Sequence, residues 1–134
     1  MITKKGGIEL NNSLVYDHFA ADWLVHFNFD WRLLGTLYLC DLLSLILRDG
    51  SAVFEKSFTK EILPAIAKRR KTNWRAVERS MRYAIESAWL RGCPEVLAVY
   101  FPQEFEKTGR PSVKQFSQTV GLAAYHNFAQ TVAQ

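Results

Sequence analysis

Residues 57–92 read SFTKEILPAIAKRRKTNWRAVERSMRYAIESAWLRG, which contains two stretches of helical periodicity separated by a short polar break. We expect the first helix to use Thr59 as its N-cap, with Pro64 near its start, where a proline is tolerated or produces a kink. Its apolar residues share one side: Ile62, Leu63, Ile66 and Ala67. The break ends in Thr72 and Asn73, either of which can cap the next helix. This arrangement predicts a helix-turn-helix unit.

The second helix is expected over residues 73–91, because Gly92 and Pro94 follow it. At about 100° per residue, one side of it is apolar: Val77, Met81, Ala84, Ile85 and Ala88. The opposite side carries Arg75, Arg79, Arg82 and Glu86 within about 60° of each other. Val77 follows the small residue Ala67 by ten positions, a spacing that lets two helices of this motif cross closely.

The row of arginines is unusual for a face that only contacts solvent. Like charges four residues apart repel by a few tenths of a kcal/mol, roughly, and solvated faces usually alternate in sign. The planar guanidinium group can bind guanine O6 and N7 or grip a phosphate. We therefore predict that this helix is a recognition helix that enters the major groove of DNA.

Four consecutive cations, Lys68, Arg69, Arg70 and Lys71, precede the second helix. Phosphate contacts at this turn would orient a recognition helix in the groove. Taken alone, the run is equally compatible with a solvated turn.

The remaining pattern is also helical. Residues 33–47, LLGTLYLCDLLSLIL, are interrupted by Thr36, Asp41 and Ser44, and the run is shorter than the ~20 residues that a membrane span needs. We expect a buried central helix from about Trp31 to Arg48, ended by Asp49 and Gly50. A short helix should begin at Asp22, and a last helix should run from about Ser112 to Phe128. The sequence thus predicts a single all-α domain of about five or six helices, residues 22–130, after an N-terminal extension, residues 1–21.

Composition agrees with one compact domain that has an anionic partner. The chain has 134 residues, of which 49% are hydrophobic, and a formal net charge of +4. Cys40 and Cys93 lack ligand spacing and no secretory signal precedes them, so we expect reduced thiols in a cytoplasmic protein.

Other chemistry is not expected. His18, His26 and His126 lie far apart, and no cysteine or carboxylate stands at ligand spacing from them, which argues against a metal site. The chain has no glycine-rich phosphate loop, nucleophile elbow or paired-carboxylate motif, so we expect neither an enzyme nor a cofactor. The four tryptophans, Trp23, Trp31, Trp74 and Trp89, are expected to pack in the core.

Several motifs occur in one order. GTLYLCDLLSLIL from Gly35, SFTKEILPAIAKRR, AVERSMRYAIESAWLRG from Ala76 and GRPSVKQF from Gly109 resemble the DNA-binding effector domain of the stage-zero sporulation master regulator of endospore-forming bacteria. The resemblance extends roughly from Asp22 to Tyr125. It implies an all-helical domain whose long helix binds double-stranded DNA at a short promoter box. Because such boxes often occur in tandem copies, the resemblance also implies a homodimer. A contact with the RNA polymerase sigma subunit is a further expectation.

The resemblance also implies site residues. Glu78 and Arg79 match the family's base-contacting V-E-R, and Arg82 matches its second arginine. The expected base contacts are Arg75, Glu78, Arg79 and Arg82. The expected phosphate contacts are Lys60, Lys68, Arg69, Arg70, Lys71, Thr72, Asn73 and Tyr83.

Three differences from the family leave alternatives open. Ala76 stands where the family usually has arginine, with Arg75 one position earlier and about 100° round the helix, and Tyr83 replaces a common histidine. Only some 20 residues precede the matching region, too few for a receiver domain, so we expect either a stand-alone relative, which Met1 favours, or an excised effector domain. The alternative function is a helical protein-interaction module, such as an antagonist, that uses this fold without specific DNA binding.

Overall fold

The computed structural model describes residues 10–92, 94–106 and 109–133, and the described residues form seven α-helices and no strand. The helices are α1 (Leu10–His26), α2 (Leu34–Asp49), α3 (Leu63–Arg70), α4 (Trp74–Arg91), α5 (Pro94–Tyr100), α6 (Pro102–Glu106) and α7 (Val113–Ala133). A 3₁₀ helix (Gly50–Glu55) and a π-helical turn (Phe58–Ile62) connect α2 to α3. The all-α prediction is confirmed, with more helices than expected.

Helix α2 lies at the centre of the molecule, because α1, α4 and α7 all pack against it. Eleven of its sixteen residues are buried, as predicted for this apolar run. The helix begins at Leu34 rather than near Trp31, and it ends at the predicted C-cap, Gly50, which has a positive φ of 68°. No helix in the described part of the chain is both long enough and apolar enough to cross a membrane.

Two glycines allow the backbones around α2 to approach closely. A Cβ atom at Gly35 would lie 1.8 Å from the carbonyl oxygen of Ser80 on α4. A Cβ atom at Gly121 on α7 would lie 2.5 Å from Cδ1 of Ile46. Only a residue without a side chain fits at Gly35, where the obstacle is backbone, so this crossing determines how close α4 comes to the central helix. At Gly121 a Cβ atom would meet the end of the flexible Ile46 side chain.

Helix α1 begins well before the predicted start at Asp22. The sequence Asn11-Asn12-Ser13 has low helix propensity, but residues further along are held by the core. Phe19 packs on Phe128 with ring centroids 4.8 Å apart, and Tyr16 packs on the same ring at 5.4 Å. Helix α1 therefore crosses the boundary that we expected at residue 21; residues 1–9 of the expected extension lie outside the described residues.

The helix cap before α3 is also different from the prediction. Ser57, not Thr59, is the N-cap: its Oγ accepts a hydrogen bond from the Lys60 N–H at 3.2 Å. The Ser57 N–H in turn donates to Glu61 Oε2 at 2.8 Å. This reciprocal pair resembles a capping box with one extra residue, because the first turn is π-helical. The last helix, α7, extends beyond the predicted end at Phe128, to Ala133.

A buried ion pair joins α2 to the end of α3. Asp41 is only 4% exposed, and it accepts two hydrogen bonds from Arg70, from Nε and Nη2, each at 2.7 Å. The hydrogen bonds raise the pKa of the Arg70 guanidinium. Arg69 Nη1 lies 3.8 Å from the same carboxylate. Arg70 was expected to contact phosphate; instead it neutralises a carboxylate that would otherwise be buried without a partner.

We predict that Arg70→Met destabilises the fold by about 3 kcal/mol, because it leaves the Asp41 carboxylate buried with only the more distant Arg69 beside it. Asp41→Asn should cost less, since the Arg70 side chain is 29% exposed and can turn to water. Urea denaturation of both variants measures the difference. The matched double variant Asp41→Leu/Arg70→Met should regain most of the loss, and equal costs for the two single variants would contradict this account.

Candidate nucleic-acid interface

The turn between α3 and α4 contains three residues, Lys71 to Asn73, and both of its ends are capped. The Thr72 N–H donates to the Ala67 carbonyl at 2.9 Å, and the Lys71 N–H donates to the Lys68 carbonyl at 3.3 Å. These two hydrogen bonds form a Schellman motif with Lys71 in the left-handed region, at φ 60°. Asn73 Oδ1 then accepts from the Ala76 N–H at 2.9 Å, so Asn73 is the N-cap of α4, one of the two predicted caps.

Helix α3 packs on α4, and the two form the predicted helix-turn-helix. Ala67 on α3 and Val77 on α4 are both buried, at 3% and 0% exposure. The small side chain at Ala67 leaves room for this close crossing. The buried side of α4 consists of Val77, Met81, Ala84, Ile85 and Ala88, which is the set that the sequence predicted.

The C-terminal end of α4 is held by the loop between α1 and α2. Arg91 Nη2 donates to the Asn28 carbonyl at 2.8 Å, and Arg91 Nη1 lies 3.2 Å from Asp30 Oδ2. Asp30 also accepts hydrogen bonds from the side chain and the backbone of Arg32. The Arg32 side-chain hydrogen bonds are the main cause that lowers the pKa of Asp30 to about 2. Helix α4 is therefore held at its start by the Asn73 cap, along its middle by its buried side and at its end by Arg91.

The three arginines of the predicted row, Arg75, Arg79 and Arg82, are exposed, but their surroundings differ. The Arg75 guanidinium stacks on the Trp74 ring, with Cζ 5.3 Å from the ring centroid. Arg82 Nη1 donates to both carboxylate oxygens of Glu78, at 2.8 and 3.0 Å. Arg79 forms no ion pair or hydrogen bond with any residue that the structure describes. Arg79 is thus the most available cation on this side of the helix.

The residues expected to contact phosphate are not all in one place. Lys68, Arg69, Lys71 and Asn73 are exposed at or beside the turn, and Thr72 is half-buried there. Lys60 is exposed in the π-helical turn, at the far end of α3. Tyr83 is 60% exposed and lies beside the start of α2, where it lines a surface pocket. Arg70 alone points inward, because it pairs with Asp41.

Sequence reasoning missed the ionic contacts that come from outside the helix-turn-helix. Arg110, in the segment before α7, donates from Nη2 to Glu86 Oε2 on α4 at 3.0 Å. Asp30, Arg32 and Arg91 form the cluster at the other end of the helix. Only Asp41 had a signal in the sequence, since a lone carboxylate in an apolar helix requires a cationic partner.

Three of the four tryptophans, Trp23, Trp74 and Trp89, pack on the core, but Trp31 is 45% exposed in the loop before α2. The prediction for Trp31 was wrong, because the central helix begins later than expected. Cys40 is a free, buried thiol, and its burial raises its pKa to about 11; Cys93 lies outside the described residues. Among the described residues, no group of three or more His, Cys, Asp or Glu side chains could hold a metal ion.

The fold and this surface define a helix-turn-helix domain whose second helix presents arginines outward, an arrangement typical of DNA-binding proteins. Residues 21–123 match the family described as "Sporulation initiation factor Spo0A C terminal". The match covers most of the chain, which therefore belongs to this family of DNA-binding effector domains of a sporulation regulator. It is a family of transcription factor domains and not of enzymes. The resemblance inferred from the motifs is confirmed.

We predict that Lys71→Gly stabilises the fold by about 0.5 to 1 kcal/mol, because a glycine at positive φ avoids the steric cost that a lysine bears there. Lys71→Ala is the matched control: it removes the same charge but keeps a Cβ atom, so its free energy of unfolding should stay close to that of the unaltered protein. Urea denaturation distinguishes the two variants, and a loss of stability with glycine would contradict the left-handed turn.

We also predict an acid-sensitive contact at the end of α4. The pKa of Asp30 is lowered in the folded state to about 2, so its contribution to stability is complete above the ordinary carboxyl pKa near 4 and is lost as the pH falls towards 2. Thermal denaturation of the unaltered protein and of Asp30→Asn should show a difference that shrinks across this range. A difference independent of pH would mean that the Asp30 charge contributes nothing.

Proposed function

We propose that this protein is a sequence-specific DNA-binding transcription regulator that places the N-terminal half of α4 in the major groove. The observation that carries the proposal is the exposed row of Arg75, Arg79 and Arg82 on a helix whose opposite side is buried. A helix held in this way presents its cations at fixed positions, and guanidinium groups can bind guanine O6 and N7 bidentately.

Glu78 and Arg82 act as a pair in this proposal. The Glu78 carboxylate holds Nη1 of Arg82, which leaves other guanidinium N–H groups of Arg82 to donate to a base. A carboxylate at this place can also accept from cytosine N4. Arg75, restrained by stacking on Trp74, would read the base at the start of the box, where Ala76 offers no polar group.

Phosphate contacts would come first from the turn. Lys68, Lys71 and the side-chain amide of Asn73 surround the start of α4, and Arg69 stays largely exposed despite its distance of 3.8 Å from Asp41. Lys60, Thr72 and Tyr83 would make outer contacts. Arg70 has no part in DNA binding here, since its guanidinium is committed to Asp41.

The family role extends the proposal to partners. Binding as a homodimer on tandem promoter boxes and a contact with the RNA polymerase sigma subunit would let the protein regulate transcription from the bacterial cytoplasm. Gel-shift titration of duplexes that carry one box or two boxes tests the homodimer: cooperative binding only to the tandem duplex is the expected result.

The proposal is tested by selection of bound duplexes from a random pool at fixed salt, followed by titration of the preferred duplex and of a scrambled one. We predict that Arg79→Ala costs about 1 to 3 kcal/mol on the preferred duplex and little on the scrambled one, because it removes a base contact. Lys71→Ala is the control and should weaken both equally, because it removes a phosphate contact.

If the pool yields no preferred sequence and Arg79→Ala has no effect, specific regulation is ruled out. A tight protein partner found with the same preparation would then support the alternative, a helical interaction module.

A further inference from the structure

Two arginines outside the helix-turn-helix are each tied to α4 through a carboxylate. Arg110 is bound to Glu86 at 3.0 Å, and its side chain is 48% exposed. Arg32 is bound to Asp30 at 3.0 Å, and Asp30 also holds Arg91 at the end of α4. Arg32 itself is 88% exposed. Neither arginine belongs to the recognition helix, yet each has a defined position relative to it.

The position of Glu86 on α4 explains the role of Arg110. At about 100° per residue, Glu86 continues the row of Arg75, Arg79 and Arg82, about 6 Å beyond Arg82 along the helix axis. A carboxylate in that row would face the phosphates at the border of the groove and would be repelled by them. The Arg110 guanidinium cancels this charge and has further N–H groups free to donate to a phosphate.

Arg32 occupies a different side of α4. Together with Arg79, Tyr83 and the start of α2 it lines a surface pocket of about 430 Å³. This side of α4 is the one that carries Ser80, which contacts Gly35 of α2. Asp30 is one carboxylate between the two guanidinium groups of Arg32 and Arg91, so these three side chains together retain a net positive charge. The most exposed of the three is Arg32.

We propose that Arg32 and Arg110 bind phosphates that border the groove while α4 reads the bases. The inference rests on the proposed function, because it assumes that α4 enters the major groove. Asp30 and Glu86 act as positioning residues that hold each guanidinium in register with α4. The interface is thus wider than the helix-turn-helix, and three separate parts of the chain form it.

The test is the salt dependence of binding, measured by fluorescence anisotropy on the selected duplex and on a scrambled duplex of the same length. Each phosphate contact adds about 0.9 to the slope with which the logarithm of the binding constant falls as the logarithm of the salt concentration rises. Arg32→Gln and Arg110→Gln should each reduce the slope by about that amount on both duplexes, and the double variant by about twice that amount. The base preference should not change.

Two further variants make the result specific. Lys56→Gln removes an exposed cation beyond the C-terminal end of α2, whereas α4 crosses the N-terminal end, so it should leave the slope unchanged. Glu86→Gln removes the carboxylate that positions Arg110, so it should reduce the slope in part on both duplexes although the Arg110 charge remains. A purely structural ion pair between Arg110 and Glu86 would instead lower the melting temperature of both single variants and leave the slope unchanged.

Unchanged slopes for Arg32→Gln and Arg110→Gln, with a reduced slope for Lys71→Ala, would overturn this inference and leave the proposed function intact. Failure of the unaltered protein to bind any duplex would overturn both. A reduced slope for only one of the two arginines would overturn the inference for the other arginine.

Discussion

The contact between Asp41 and Arg70 determines how the DNA-binding unit is attached to the rest of the protein. Asp41 is buried in the middle of the central helix, and Arg70 is the last residue of α3. A lone carboxylate at this depth would be strongly unfavourable, so the native packing of α2 requires that α3 ends where its arginine reaches Asp41. The turn that follows, Lys71 to Asn73, therefore starts from a fixed point. The direction of α4 depends on that point.

From there, α4 is held along its whole length by contacts of different kinds. Asn73 caps its start, the Gly35–Ser80 crossing sets its distance from α2, and Arg91 binds the loop between α1 and α2 at its end. These contacts involve the buried side and the ends of the helix and leave its row of Arg75, Arg79 and Arg82 exposed. A rigid helix of this kind can place guanidinium groups on base edges with little loss of conformational entropy on binding.

The distribution of charge is more informative than its sum. The formal net charge is only +4, and several cations are neutralised by internal or neighbouring carboxylates. Arg70 pairs with Asp41, Arg82 with Glu78 and Arg110 with Glu86. Arg79 and the lysines at the turn have no such partner among the described residues. The positive potential is thus concentrated around the first half of α4, where a duplex would lie.

The periodicity of the sequence predicted the all-α fold, the buried side of α4 and the central position of α2, because these follow from local spacing and from which residues avoid water. It left Thr72 and Asn73 as alternative caps of α4, and the structure shows that Asn73 is the cap. The periodicity did not predict where α1 begins, because the first turns of α1 have low helix propensity and depend on Tyr16 and Phe19 packing against α7. It also placed the cap before α3 two residues too late, since a π-helical turn has no recognisable spacing in the sequence. The roles of Arg70, Arg91 and Arg110 depend on carboxylates distant in the chain, Asp41, Asp30 and Glu86 respectively. The sequence by itself determined the all-α fold and which side of α4 is polar; tertiary structure decided which cations near the turn stay exposed and unpaired, because ion pairs such as Arg70–Asp41 and Arg110–Glu86 form between residues that only folding brings together.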